Sequence, residues 1–81
     1  MYTPKYKTQR GTLTAYALAC GYCDNIFTKA GYKIELYQDA GTANYNIKVW
    51  DDNAGMRIYW ECFDNLTAAR KNHAAKAKEF S

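Results

Sequence analysis

The sequence predicts a two-layer α+β fold, αβββα, with a three-stranded antiparallel sheet covered by helix on one face. Three observations lead there. Residues 32–38, 45–50 and 56–62 alternate apolar and polar side chains with the period of two that a half-buried strand requires. Clusters of Asp, Asn and Gly separate these runs at hairpin length, which makes the strands an antiparallel meander. After the last run, Leu66, Ala69, His73, Ala77 and Phe80 fall on one stripe at helical spacing, so one sheet face is covered and the other faces water or a partner.

Taken in order, Met1 to Gly11 alternates Tyr, Thr, Lys and Gln around Pro4 and has no apolar face, so residues 1–11 read as a loose basic arm. Residues 12–81 then form a single α+β domain, because 81 residues and 9.3 kDa leave no room for a second core. Thr12 is placed to cap a helix over Leu13 to Cys20, and Gly21 to stop it. Leu13, Tyr16, Ala17 and Cys20 make one face of this helix and Ala15, Leu18, Ala19 and Tyr22 another. Such a helix is expected to be buried on two sides or covered by a partner, and a homodimer through helix 12–20, with Leu18 and Tyr22 in contact, would satisfy it.

Residues 23–30 fit either a longer helix or a strand, with Lys29-Ala30-Gly31 as a turn. Along the first clear strand Ile34 and Leu36 point inward, and Lys33, Glu35 and Tyr37 outward. Asp39 to Thr42 turns the chain, and Tyr45, Ile47 and Val49 then alternate with Asn46, Lys48 and Trp50. Asp51 to Gly55 makes the next turn. Continuing the alternation sends Met56, Ile58, Trp60 and Cys62 inward and Arg57, Tyr59 and Glu61 outward. Asp64 or Asn65 caps the final helix.

The formal charge of +3 is unevenly spread: Lys5, Lys7 and Arg10 stand at one end, and Arg70, Lys71, Lys76 and Lys78 against Glu79 at the other. The middle is mildly acidic. Basic flanks of this kind suit phosphates or an acidic protein, although solvated termini have the same composition. No apolar run approaches the roughly 20 residues of a membrane span, and residues 2–10 lack the apolar centre of a signal peptide. Three cysteines, an odd number, fit a reducing compartment, so the expected location is cytoplasmic.

Catalytic patterns are missing from the sequence. It carries no Gly-rich phosphate loop, no G-x-S-x-G, no H-E-x-x-H and a single histidine, so a non-enzymatic protein without cofactor is expected. Cys20-Gly21-Tyr22-Cys23 has the spacing of a redox pair or half a zinc site, which Cys62 and His73 could complete, and a small zinc or redox protein is one alternative. A redox pair normally opens a helix, where the backbone dipole favours thiolate; this one closes a helix, and packing suits it better. Asp51 to Gly55 lacks the ligand ladder of a calcium loop and reads as a hairpin turn.

The open sheet face carries the functional expectation. Lys33, Tyr37, Lys48, Trp50, Arg57 and Tyr59 interleave bases and rings there, the combination that holds phosphates and stacks on nucleobases. The same residue types anchor protein interfaces. Two partner classes follow: a protein, in particular one belonging to a nucleic-acid-binding complex, or DNA or RNA directly.

From Tyr45 to Ala69, the run YNIKVWDDNAGMRIYWECFDNLTAA resembles the second hairpin and helix start of apetala-type DNA-binding domains, with a Gly shortly before an Arg in the third strand and Phe-Asp at the helix entry. The resemblance implies groove contact through Lys48, Trp50, Arg57 and Tyr59. A small domain rich in Tyr, with basic ends and no catalytic set, is also similar in style to phage accessory proteins of the anti-CRISPR type. That likeness implies a phage or mobile-element inhibitor which docks on a nucleic-acid-handling host protein and blocks it.

Overall fold

The computed structural model describes residues 14–81. The basic arm expected over residues 1–11 lies outside the described residues, as do Thr12 and Leu13. The described chain runs α1 (Ala15–Ala19), β1 (Asp24–Phe27), β2 (Tyr32–Gln38), β3 (Tyr45–Asp51), β4 (Met56–Phe63) and α2 (Leu66–Glu79). The fold is α+β, and its antiparallel sheet has four strands in the order β1-β2-β3-β4. The expected three-stranded sheet is therefore one strand short, and the order is αββββα.

The additional strand is built from the segment that fitted two readings. Gly21, at φ 96°, terminates α1 in a backbone region that side chains disfavour, and the chain leaves it extended. Asp24 then pairs with Leu36 and Ile26 with Ile34. Thr28 N–H closes the hairpin on Tyr32 O at 2.9 Å. At its tip Gly31 has a φ of 96°, which favours glycine, and lies beside the Asn53 side chain, whose Nδ2 a Cβ would meet at 2.7 Å and push aside. No apolar alternation marks β1, because its two most buried residues are Asp24 and Asn25.

The first helix is shorter than expected. Thr14, rather than Thr12, is the N-cap, its Oγ1 accepting from Ala17 N–H at 3.1 Å, and Cys20 is the C-cap. Only Leu18 is buried in it, and Tyr16 is 79% exposed. Leu18, expected at a self-association surface, is instead fully enclosed in this chain's own core, with Tyr22 packed beside it.

That core lies between the sheet and the two helices. Ile34 and Leu36 from β2 and Ile47 and Val49 from β3 are fully buried together with Leu18 and Ala69. Each large aliphatic side chain stabilises the fold by about 1.5–3 kcal/mol on burial. Asn65 caps α2 by accepting from Ala68 N–H at 2.8 Å, and Leu66, Ala69, His73, Ala77 and Phe80 form its inner stripe, as the spacing predicts. His73 is buried, with Nε2 3.0 Å from Ile34 O. Nearby, Arg70 lies 3.8 Å from the fully buried carboxylate of Asp24, tying α2 to β1.

One irregularity decides what the opposite face displays. Down to Val49 and Tyr59 the β3–β4 register is unbroken, but Trp50 then pairs with Arg57 and Asp51 with Met56, leaving Ile58 as an extra residue. Such a bulge reverses the alternation beyond it. Tyr59, Glu61 and Phe63 consequently share the helix-covered face with Val49, Ile47 and Tyr45, while Trp60 and Cys62 lie opposite Lys48 and Asn46 on the open one. The inward assignment of Trp60 and Cys62 and the outward assignment of Tyr59 and Glu61 are thus corrected.

Candidate functional site

The open face is ordered in three rows, each crossing the sheet through directly paired residues. The first runs Phe27, Lys33, Trp50, Arg57; the second Asn25, Glu35, Lys48, Trp60; the third Tyr37, Asn46, Cys62. Cross-strand neighbours stand near enough for long side chains to meet, and cations lie over rings throughout. Lys33 Nζ is 5.7 Å from the Trp50 ring centre, and Lys48 Nζ is 5.1 Å from that of Tyr37 and 5.2 Å from that of Trp60. The Arg57 guanidinium is 4.8 Å from the Trp60 ring. All four separations fall inside the roughly 6 Å reach of a cation–π contact.

Polar side chains pin the two indoles. Trp50 Nε1 donates to Glu35 Oε1 at 3.3 Å and Trp60 Nε1 to Asn46 Oδ1 at 2.9 Å, and Asn46 Oδ1 also accepts from Cys62 Sγ at 2.8 Å. Asn46 is buried at 2% exposure, yet Trp60 is 52% exposed. The ring is therefore anchored at its edge while much of its surface meets solvent.

Of the six expected binding residues, Lys33, Tyr37, Lys48, Trp50 and Arg57 come together on this face. Tyr59 does not. It lies under α2, where its hydroxyl donates to Glu61 and is 3.3 Å from the Asn72 side-chain amide, and Lys76 Nζ sits 4.3 Å from its ring. Desolvation and the Glu61 carboxylate push the Tyr59 phenol above its ordinary pKa. Trp60 occupies the place expected for Tyr59. Because Glu61 moves away with Tyr59, the rows hold Lys33, Lys48 and Arg57 against one carboxylate, Glu35.

At one corner of this face, Gly21, Cys23, Glu35, Tyr37, Gln38 and Lys48 line a cleft of about 370 Å³. Cys23 is buried, and desolvation followed by the Glu35 charge pushes its thiol well above the usual range, which opposes thiolate chemistry. The three cysteines are free thiols. Cys62 lies on the open face and His73 beneath α2, so the sheet separates two members of the zinc set considered from sequence. Among the described residues, no three of His, Cys, Asp and Glu are grouped to hold a metal ion. No described helix is long and apolar enough to cross a membrane. No family model, curated protein or solved structure matches this chain.

Proposed function

We propose that the protein is a non-enzymatic nucleic-acid-binding module that uses the open sheet face. The observation that carries this reading is the ladder of Lys33, Lys48 and Arg57 interleaved with Trp50, Trp60 and Tyr37. Cations held over rings give a surface that attracts phosphates and, where a phosphate draws the cation aside, offers the uncovered ring to a base. Removal of Glu61 from this face strengthens its positive field over that expected from simple alternation. A labelled oligonucleotide titrated at increasing salt tests the reading: binding is expected to weaken with a log–log slope of roughly −0.7 to −0.9 per phosphate contact. A flat salt profile, or no association at low salt, counts against it.

A second reading has its own observation. Met56, Ile58 and Trp60 are large apolar side chains with 45–60% exposure, all on the edge strand β4. Such a patch suits a protein partner, including the anti-CRISPR-like role of a phage or mobile-element factor that occludes a nucleic-acid-handling protein. Association that persists at high salt would favour it.

A further inference from the structure

The corner cleft has a chemistry more specific than the ladder beside it. Glu35 and Lys48 are directly paired across β2 and β3 and both line the cleft, so one acidic and one basic side chain belong to it. Tyr37 supplies an aromatic wall, with Lys48 Nζ 5.1 Å from its ring centre. Gln38, also lining the cleft, donates through Nε2 to Ala43 O at 3.1 Å, while its Oε1 is buried and has no hydrogen-bond partner among the described residues. Buried acceptors are seldom left in that state. The Glu35 carboxylate accepts from Trp50 Nε1 and retains capacity for further donors. The cleft is thus rich in acceptors, has one cation, and at about 370 Å³ lies near the lower end of ordinary small-ligand sites.

We infer that this cleft seats one unpaired nucleobase and selects guanine. The inference rests on the nucleic-acid reading above and deepens it. Guanine's Watson–Crick edge presents two adjacent donors, N1–H and the exocyclic amine, beside the O6 acceptor. The donors complement Glu35, O6 complements Lys48, and the ring lies against Tyr37. Adenine turns a bare N1 acceptor toward the carboxylate. Cytosine offers one amine followed by two acceptors, and thymine and uracil a single N–H between two carbonyls. A carboxylate facing an acceptor loses its hydrogen bond and is repelled, so discrimination comes from the penalty on the wrong base as well as the gain on the right one.

The test uses the full chain and four single-stranded eight-nucleotide probes: all thymine, or thymine with one central guanine, adenine or cytosine. Fluorescence anisotropy at fixed low salt is expected to give at least about tenfold tighter binding to the guanine probe, the scale of one charged hydrogen bond. Glu35→Gln keeps an acceptor for Trp50 and is expected to erase most of that preference, read as the ratio of guanine-probe to all-thymine affinity. Tyr37→Leu, with folding checked by circular dichroism, is expected to weaken the guanine probe more than the all-thymine probe. Equal binding of all four probes would overturn the guanine seat and leave the ladder reading intact. Failure of every probe to bind would overturn both. Capture of a protein, with no probe bound, would move the face to the second reading.

Discussion

Trp60 is held to Asn46 by a hydrogen bond of 2.9 Å from the indole Nε1 to the amide oxygen, with the donor half exposed and the acceptor buried. A ring fixed at its edge loses little freedom on binding, because its rotamer is already chosen. Trp60→Ala is therefore expected to weaken oligonucleotide binding by about tenfold, corresponding to the 1–3 kcal/mol of a lost stacking platform. Anisotropy titration measures it. An unchanged affinity would remove Trp60 from the interface.

Tyr59→Ala is expected to behave in the opposite way. Its ring packs between β4 and α2 and meets Lys76, so truncation should cost stability, about 2–4 kcal/mol, with little effect on the affinity of the folded fraction. Chemical denaturation alongside titration separates the two quantities. Loss of affinity at full stability would place Tyr59 on the binding surface after all.

Lys48→Gln and Arg57→Gln each remove one cation from the ladder. Each is expected to make the salt slope shallower by roughly 0.7–0.9 if its charge meets a phosphate. Lys71→Gln, on an exposed position of α2, serves as the control and should leave the slope unchanged. Equal effects at all three positions would indicate a diffuse charge effect in place of a defined face.

Acid should destabilise the fold through His73. Burial lowers its pKa below the ordinary value of about 6.5, outweighing the opposing pull of Ile34 O and Asp24, while Arg70 acts in the same direction as burial. The unfolded chain consequently binds more protons than the folded one, so stability rises with pH across the window just below 6.5 and is lost as pH falls through it. Denaturation midpoints at pH 7.5 and 5.5 should differ in wild type more than in His73→Gln. The carboxylates also titrate toward lower pH, and the variant isolates the histidine's share. Identical pH dependence in both proteins would exclude it.

Asn65→Ala removes the cap of α2 and is expected to cost about 1 kcal/mol. A shift in the denaturation midpoint measures this, and no shift would mean that another group satisfies Ala68 N–H.

Helical spacing located the inner stripe of α2, and period-two alternation located β2 and β3, which bury one clean apolar face, and the extent but not the facing of β4. It could not locate β1, where Asp24 is buried against Arg70 and Asn25 accepts from the Cys23 thiol at 3.1 Å; paired polar groups inside a strand erase the pattern. The face taken by five of the six residues was legible because β2 and β3 alternate without interruption and Arg57 pairs with Trp50. The sixth failed at Ile58. A faint signal was present in Phe63, an apolar residue out of step with Met56, Ile58 and Trp60, which the bulge brings onto the core. Alternation read from the turn end of β4 differs from alternation read back from the helix, and the contradiction marks an extra residue between.

The extra residue at Ile58 also makes the binding surface dependent on chain length. One residue added to β3 opposite Ile58 would complete the ladder and re-phase one part of the hairpin against the other, returning either Tyr59 and Glu61 to the outside or Trp50 and Arg57 to the inside, whereas removing Ile58 would leave every present pair in place. Point substitutions can only adjust the surface a residue at a time, whereas one codon gained in β3 would exchange a cationic, tryptophan-bearing surface for another.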